Sequence, residues 1–227
     1  MKLNAFERAA MNNPPVRAAH QHHREAAWFR RLSGGGLSGQ QVLEVGCGRG
    51  VGAEVILDRL GAAWVAAFDL DESMVELAQR RLHGRPVQLS VGDVCEIAQP
   101  TASVDAVVDF GIIHHVPDWQ QAVAEIARVL RPGGLVLFEE VPREMLDTWA
   151  FRTFTVHPHE KNRFQPGGDF ADELARNGLH GSGEIERHLG GMVFVGAVRK
   201  KPNRHPKRLR SRGVCLHHAG RVRRRTR

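Results

Sequence analysis

The chain has 227 residues, 42% of them hydrophobic and 25% charged, which excludes a disordered or fibrous protein and favours one folded domain with a sizeable core. The formal net charge is +7, but residues 199–227 carry 13 Lys and Arg and no Asp or Glu. The preceding 198 residues hold 19 basic and 25 acidic residues, so their net charge of −6 argues against a broad nucleic-acid surface there.

Hydropathy and cysteine usage indicate the cellular context. No apolar run reaches the roughly 18 to 20 residues that a membrane helix needs, and the first residues lack the apolar core of a signal peptide. The three cysteines, Cys47, Cys95 and Cys215, are widely spaced and form neither a disulfide framework nor a paired metal-ligand pattern. We therefore expect a cytoplasmic protein without membrane insertion.

The first predicted element is a helix over residues 16–32. It follows a turn signal at 12–15, carries a thin apolar stripe at helical spacing, and ends at the glycine-rich stretch 33–39. We assign residues 1–36 to a helical lid segment, 37–198 to the main domain and 199–227 to a tail.

From Gln41 onward, short apolar runs alternate with helical stretches, which indicates βαβ units and a mostly parallel sheet. Several runs are apolar at every position, as expected for strands covered by helices on both faces. Helices are predicted to begin near Val51, Asp71 and Asp118. Strands are predicted at 41–46, 64–69, 86–91, 104–110 and 135–141.

The C-terminal part of the main domain has a looser pattern. A helix is predicted at 169–179, followed by apolar runs at 184–189 and 192–200. Gly190 and Gly191 separate these two runs and predict an antiparallel hairpin at the edge of the sheet. The basic tail has too few apolar residues to form a core, so we expect it to be disordered. It is a solvated segment, a terminus not native to the domain, or an arm for nucleic acid or an acidic partner.

A glycine-rich loop joins the first strand to the following helix in the sequence VLEVGCGRGVGA. Gly46, Gly48 and Gly50 lack a Cβ and tolerate positive φ, so a ligand can lie directly against the backbone. A nicotinamide dinucleotide normally requires G-x-G-x-x-G. The spacing here is G-x-G-x-G, with Val51 at the place of the third glycine, which disfavours an oxidoreductase of the NAD type.

Acidic residues end the next two predicted strands. Asp69 ends the second strand, where a carboxylate can accept hydrogen bonds from both hydroxyls of a ribose. Asp93 follows the third strand, at the same edge of the sheet, where it could face an adenine amino group. Each acid also has a purely structural interpretation. Asp69 could cap the helix that starts at Asp71, and Asp93 could stabilise an ordinary turn. Glu44 could accept hydrogen bonds from the amides of the loop.

Five segments, VLEVGCGRG, AAFDLDESMVELA, VGDV, VDAVVDFGIIHHVPD and LRPGGLVLFEE, resemble the class I S-adenosylmethionine-dependent methyltransferases, especially the small-molecule, type 11-like group. The resemblance implies an α/β, Rossmann-like three-layer sandwich with a seven-stranded, mostly parallel sheet in the order 3-2-1-4-5-7-6 and an antiparallel seventh strand. It also implies S-adenosylmethionine as cofactor, with the loop around its methionine part, Asp69 on its ribose, Asp93 and Val94 beside its adenine, and the strand end from Phe110 near its sulfonium. The implied cofactor residues are Glu44, Gly46, Cys47, Gly48, Gly50, Asp69, Leu70, Asp93, Val94, Phe110 and Gly111.

Methyl transfer from a sulfonium mainly requires alignment of donor and acceptor, and it needs a base only if the acceptor must lose a proton. His114 and His115 follow the fourth strand at the expected site and are the candidate bases. The alternative is that one packs beneath the helix beginning at Asp118 while the other lines the pocket without titrating.

Other histidines and aromatic residues lie outside these motifs. The groups at His20–His23 and His157–His159 have metal-like spacing but no evident acidic partners, so we predict solvated histidines and no metal. Trp28 and Phe29, together with aromatic residues in 142–168, form either an apolar lid over cofactor and acceptor or part of the core.

We therefore expect an S-adenosylmethionine-dependent enzyme that methylates a small, apolar or amphipathic acceptor by in-line displacement. The alternatives are an oxidoreductase of the NAD type and a nucleic-acid-directed methyltransferase or binding protein that uses its basic tail.

Overall fold

The computed structural model describes residues 18–141, 166–188 and 191–202. These ranges contain seven strands and five α-helices, and two of the helices directly follow a π-helical turn. The strands are β1 (Gln41–Val45), β2 (Trp64–Asp69), β3 (Val87–Val91), β4 (Val104–Phe110), β5 (Leu130–Glu140), β6 (Leu179–His188) and β7 (Gly191–Lys200). The helices are α1 (Ala26–Leu32, after the π-turn Gln21–Glu25), α2 (Val51–Asp58), α3 (Glu72–Arg81), α4 (Trp119–Val129) and α5 (Ala171–Arg176, after the π-turn Pro166–Phe170).

The strands form one sheet in the order β3-β2-β1-β4-β5-β7-β6. Strands β1 to β5 pair in parallel, whereas β7 is antiparallel to both β5 and β6. The predicted fold class and the edge hairpin are confirmed. The strand order reverses between β1 and β4, and such a switch point opens a crevice beyond the carboxyl ends of the two strands.

Two apolar clusters pack on the opposite faces of the sheet. Leu43 of β1 belongs to the cluster with α4 and α5, while its neighbour Val42 belongs to the cluster with α1 and α2. Successive strand residues point to opposite faces, so burial of both demands a helical layer on each side. The predicted three-layer sandwich follows from this alternation.

Strand β5 begins at Leu130, five residues before its predicted start. Val104 of β4 pairs with Leu130, but Ala106 pairs with Leu135, so a bulge in β5 takes up the extra residues. A bulge tolerates Pro132 and the two glycines of this stretch within a strand. A Cβ on Gly134 would lie 2.8 Å from the carbonyl oxygen of Asp105, which explains the glycine there.

The C-terminal elements also differ from the prediction. Helix α5 with its π-turn ends at Arg176, and β6 already begins at Leu179, five residues before its predicted start. Strand β7 continues to Lys200, two residues into the segment assigned to the tail. The Lys200 ammonium group donates to the carbonyl oxygens of Ala127 and Leu130, at 2.5 and 2.7 Å, and so satisfies acceptors at the end of α4.

Several predictions fall on other parts of the chain. The N-terminal helix is described only from residue 18, and the predicted aromatic lid, His157–His159 and most of the basic tail lie outside the described residues. Among the helices that are described, none combines the length and the apolarity that crossing a membrane requires.

Candidate active site

The glycine-rich loop between β1 and α2 presents bare backbone. Gly46, Gly48 and Gly50 have φ values of 72°, 49° and 83°, in the left-handed region that favours glycine. A Cβ at Gly46 would lie 2.6 Å from Ile112, and one at Gly50 would lie 2.9 Å from Leu82. A Cβ at Gly48 would meet no atom within 4 Å, so its backbone borders open space.

A fourth glycine, Gly52 in the first turn of α2, makes room for the carboxyl group of Glu44. A Cβ on Gly52 would lie 1.9 Å from Glu44 Oε1 and 2.7 Å from the ring of Phe110. Burial and the negative charge of Asp69 raise the pKa of Glu44 well above its usual range, although a hydrogen bond from the backbone of Ala53 opposes the shift. The sequence analysis predicted Glu44 but missed Gly52, whose position two residues after Gly50 continues the alternation of glycines and was the available signal.

Asp69 at the end of β2 anchors the loop. Its Oδ2 accepts a hydrogen bond from the Gly48 N–H at 2.8 Å, and its Oδ1 accepts one from the Asp71 N–H at 3.0 Å. Each carboxylate oxygen has further acceptor capacity for a ribose hydroxyl. The capping interpretation of Asp69 is wrong, because the carboxylate of Asp71 caps α3 through the N–H of Ser73 at 3.0 Å.

A cavity of about 530 Å³ lies beyond the ends of β1 to β4. Asp93 borders it and also accepts a hydrogen bond from the Cys95 N–H at 2.8 Å, so this residue combines turn chemistry with a place at the cavity. The side chain of Leu70 is 57% exposed, which is unusual for a large apolar residue in a folded domain. The predicted site residues at this cavity are Gly46, Gly48, Asp69, Leu70, Asp93, Val94, Gly111 and His115.

A second cavity, of about 200 Å³, lies on the other side of the glycine-rich loop. It shares Gly46, Gly48 and Gly111 with the larger cavity, so the two spaces meet at these three backbones. The side chain of Gln21, from the N-terminal π-turn, also borders it. The other predicted residues at this cavity are Glu44, Cys47, Phe110 and His114, whereas Gly50 borders neither cavity and precedes α2.

Cys47 in the glycine-rich loop is a buried thiol. Its burial, together with the negative charges of Glu44 and Asp69, raises its pKa far above the usual range. These causes favour a Cys47 that fills space in the loop over one that acts as a nucleophile.

The two candidate bases lie in a short 3-10 turn after β4. Their rings contact each other at an interplanar angle of 39°, with centroids 4.1 Å apart. His114 borders the smaller cavity and His115 the larger one. His114 Nδ1 lies 2.5 Å from Oε2 of Glu140, at the end of β5. Both histidines therefore border a cavity, and His114 contacts a carboxylate.

Sequence reasoning missed three buried acids at the ends of β4 and β5: Asp109, Glu139 and Glu140. Asp109 Oδ1 accepts hydrogen bonds from the N–H groups of Gly111 and Ile112, at 3.1 and 2.9 Å. Burial and the negative charge of Glu140 raise the pKa of Asp109 well above its usual range. The signal was available, since acids at the ends of wholly apolar strands are expensive to bury without a role.

The interpretation of His20 as a solvated histidine is wrong. Its Nε2 lies 3.5 Å from Oε1 of Glu25, and its ring contacts Trp28 edge-on with centroids 5.8 Å apart. His20, Glu25 and the distant Glu139 each place one ligand atom within 4.8 Å of the others, the single such group among the described residues. Glu25 follows His20 by only five residues and was visible in the sequence, whereas Glu139 comes from β5 and was not. The predicted absence of a metal stays a prediction.

Comparisons with known proteins agree with this geometry. A family described as a methyltransferase domain matches residues 43–138. A probable S-adenosylmethionine-dependent methyltransferase of Mycolicibacterium smegmatis is 33% identical over 190 residues, which cover 78% of this chain and 72% of the relative. A probable phthiotriol/phenolphthiotriol dimycocerosates methyltransferase 2 of Mycobacterium ulcerans is 32% identical over 182 residues, 77% of this chain and 70% of the relative.

Solved structures share the fold. The N-methyltransferase NodS of Bradyrhizobium japonicum, in complex with S-adenosyl-L-homocysteine, has a TM-score of 0.63 at 17% identity over 86% of this chain and 96% of its own. A putative methyltransferase in complex with the Haloferax volcanii Trm112 activator has a TM-score of 0.69 at 17% identity over 88% of this chain and 100% of the matched chain.

The described residues fit an adenosyl sulfonium: a backbone cradle with open space at Gly48, an acid at the tip of β2 and a cavity large enough for a nucleoside. The NAD-type oxidoreductase is wrong, because the named relatives are methyltransferases. At 33% identity over more than two thirds of either protein, the Mycolicibacterium relative shows that this chain belongs to the S-adenosylmethionine-dependent methyltransferases, with S-adenosylmethionine as its cofactor.

Proposed function

We propose that this protein transfers the methyl group of S-adenosylmethionine to a small-molecule acceptor by in-line displacement. The observation that carries this proposal is the meeting of two cavities at Gly46, Gly48 and Gly111. The larger one suits the adenosyl part of the cofactor. The smaller one suits the methionine end and the acceptor, with the reacting atoms at the shared backbones.

In the larger cavity, the Asp69 carboxylate would accept hydrogen bonds from the ribose hydroxyls while the N–H groups of Gly48 and Asp71 hold it in place. Asp93 would face the adenine amino group, and the exposed Leu70 would cover one face of the ring together with Val94. Hydrogen bonds to a charged group contribute about 1.5 to 3 kcal/mol each, so Asp69 is the main anchor in this proposal.

In the smaller cavity, this chain would supply alignment. Bound S-adenosylmethionine supplies a methyl group on a positively charged sulfur, and the rest of the cofactor leaves as a neutral thioether. The loop from Gly46 to Gly48 and the buried ring of Phe110 would restrict the position of the methyl group. Alignment of two reacting groups can contribute on the order of 7 kcal/mol to the lowering of the barrier.

The lining of the smaller cavity supports a small, amphipathic acceptor. Phe110 and Val141 provide apolar surface, whereas Gln21, His114 and Glu139 provide polar groups. Two relatives in Mycobacterium ulcerans are named for phthiotriol and phenolphthiotriol dimycocerosates, which supports a hydroxylated or lipid-like acceptor over a macromolecule.

Between the two candidate bases, the geometry favours His114. It borders the smaller cavity, where the acceptor would lie, and it contacts a carboxylate through Nδ1. His115 borders the larger cavity, so its contribution in this proposal is to the wall beside the cofactor.

The proposal is tested in two steps. Calorimetry with S-adenosyl-L-homocysteine should show binding at a single site, and methyl-labelled S-adenosylmethionine should then transfer label to a component of a metabolite extract. Label recovered in a small-molecule fraction supports the proposal. Label recovered only in the protein or nucleic-acid fraction would contradict it, as would the absence of any binding of the product cofactor.

A further inference from the structure

A histidine and two glutamates from distant parts of the chain meet beside the smaller cavity. His20 precedes the N-terminal π-turn, Glu25 ends it, and Glu139 lies near the end of β5. One ligand atom of each side chain lies within 4.8 Å of the other two. None of the three residues borders the larger cavity, so the cluster is separate from the proposed site of the adenosyl group.

The distances within this cluster suit ligands of one cation. Nitrogen and oxygen ligands lie about 2.0 to 2.2 Å from a zinc ion, so two of them in a tetrahedral site are about 3.3 to 3.6 Å apart. His20 Nε2 lies 3.5 Å from Glu25 Oε1, which is already this spacing. A movement of roughly 1 Å would bring a ligand atom from the 4.8 Å limit to the same spacing.

The π-turn brings His20 and Glu25 together. In an α-helix, residues five positions apart are rotated by about 140° around the axis and face different sides. A π-turn closes hydrogen bonds five residues apart, as the bond from the Ala26 N–H to the carbonyl oxygen of Gln21 does here. Such turns are rare and occur frequently at functional sites, so the local backbone favours a joint role for the two side chains.

Burial of the two carboxylates favours a cation between them. Glu25 has no exposed surface, and Glu139 is 5% exposed. Carboxylates that lie close together in an apolar site repel each other, and buried charges are as a rule paired or bound to a metal. His20 contacts the ring of Trp28, and all three side chains have further interactions. Second contacts of this kind normally orient metal ligands.

We propose that His20, Glu25 and Glu139 bind a divalent transition-metal ion, which fastens the N-terminal π-turn to the end of β5. The inference goes beyond the proposed function and reverses the sequence-based prediction that no metal is bound. One imidazole and two carboxylates are a donor set for Zn²⁺, Mn²⁺ or Fe²⁺, whereas Mg²⁺ and Ca²⁺ prefer oxygen ligands and Cu⁺ prefers sulfur. Three protein ligands leave a coordination position open for water.

The ion would lie at the edge of the smaller cavity, because Gln21 and Glu139 both border that cavity. It would join two elements that are far apart in the sequence and so hold the polar side of the cavity in place. The unfolded chain does not assemble these three ligands, so binding of the ion should stabilise the folded state. The residues at the larger cavity keep their contacts whether or not the ion is bound.

Calorimetry with Zn²⁺ tests the proposal on the full chain after its metal has been removed with a chelator. We expect one tight site that H20A, E25Q and E139Q each weaken about a hundredfold or more, since even the loss of a residue that only orients a ligand costs about 10- to 100-fold in affinity. Mg²⁺ should bind at least about a hundredfold more weakly than Zn²⁺. Saturating Zn²⁺ should raise the melting temperature of the wild type by about 5 °C or more, but not that of the three variants.

The neighbouring pair of His22 and Glu54 supplies matched controls. His22 lies in the same π-turn, and its Nε2 is 3.8 Å from Glu54 Oε2, but no third ligand joins this pair within the part of the chain that the structure describes. H22A and E54Q should therefore leave the Zn²⁺ affinity unchanged. Trp28 reports the position of the ion, because Co²⁺ bound beside His20 should quench its fluorescence. W28F should accordingly show less quenching by Co²⁺ than the wild type.

Three outcomes would overturn the inference. They are the absence of Zn²⁺ binding, an affinity that H20A, E25Q and E139Q leave unchanged, and a site that is lost instead when Cys215 and His217 of the tail are replaced. Circular dichroism of the metal-free variants checks their folding, and the near-isosteric E25Q and E139Q keep the test decisive if H20A does not fold. The metal-free protein should still bind S-adenosyl-L-homocysteine, so a failure of the proposed function is distinguishable from a failure of the metal site.

Discussion

The two halves of the strand-end edge use acids in different ways. At β2 and β3, Asp69 and Asp93 accept hydrogen bonds from main-chain N–H groups and border a wide cavity. At β4 and β5, Asp109 and Glu140 are wholly buried, and Glu140 contacts a histidine. The first half is suited to binding the hydroxyl groups of a ligand, and the second half to holding and moving a proton. In the proposed function, one sheet edge therefore separates ligand recognition from proton chemistry.

The two adjacent histidines give the sharpest test of this division. H114A should lower kcat about 10²- to 10⁴-fold, because the loss of a general base has an effect of that size. H115A should mainly raise the KM for S-adenosylmethionine, because His115 borders the larger cavity. Steady-state kinetics over both substrates separates the two effects. Equal losses of kcat in the two variants would remove the distinction between the halves.

The acids of the binding half should differ in the strength of their contribution. D69A removes the carboxylate expected on the ribose and the anchor of the Gly48 N–H, so the affinity for S-adenosyl-L-homocysteine should fall about tenfold to a hundredfold. D93A should lower it less, about threefold to tenfold. Calorimetry measures both values, with D58A, which removes an exposed partner of Arg85, as the control. A D93A effect larger than that of D69A would reverse the assignment of the main anchor.

Gly52 and Glu44 lie at the boundary between the halves. G52A places a methyl group 1.9 Å from Glu44 Oε1 and should destabilise the fold by about 2 kcal/mol through overpacking. E44A should relieve part of that cost, so the two changes should not be additive. Urea unfolding of the two single variants and the double variant measures the coupling energy. Additive effects would show that Glu44 does not impose the glycine.

Buried acids of the proton-holding half should make stability depend on pH. Burial raises the pKa of Glu140 from 4.5 to about 7, against opposing hydrogen bonds from Asp109 and two N–H groups. The folded state therefore binds more protons than the unfolded state between about pH 5 and 7. The free energy of unfolding should fall by on the order of 2 kcal/mol as the pH rises from about 5 to 7. Activity that needs ionised Glu140 should rise over the same range.

Urea unfolding at a series of pH values measures this effect, and E140Q should reduce the slope. Glu125 contributes to stability with the opposite pH dependence, because a hydrogen bond from Arg128 lowers its pKa, and E125Q removes that contribution. The stability that Glu125 contributes is present above its unfolded pKa and is lost as the pH falls further. A slope between pH 5 and 7 that E140Q leaves unchanged would contradict the role of Glu140.

The sequence predicted the binding half better than the proton-holding half. Local signals mark the former: glycines with positive φ at 46, 48 and 50, and acids at strand ends such as Asp69. Glu139 and Glu140 end an apolar strand, which was a usable signal, but the residues they meet, His20 and His114, are far from them in the sequence and come close only in the folded chain. Long-range pairing leaves no local periodicity, whereas turn chemistry does.

The predicted starts of β5 and β6 were wrong because each strand begins with an irregular, glycine-containing stretch. Strand β5 was predicted to start only at Leu135, after Pro132, Gly133 and Gly134, but it passes through these residues as a bulge. The start of β6 at Leu179 was missed for a related reason, because Gly181 and Gly183 interrupt its apolar pattern. A Cβ on Gly181 would lie 2.0 Å from the carbonyl oxygen of Ala197, so close strand packing, not a turn, requires that glycine.

Gly46, Gly48 and Gly111 form a common wall of both chambers. A ligand that displaces these shared backbone segments in one cavity would change the volume of the other cavity. If one ligand changes the affinity for the other, thermodynamic linkage requires that cofactor and acceptor alter each other's affinity by the same factor. Three shared glycines are therefore the place at which binding of the cofactor and binding of the acceptor can influence each other.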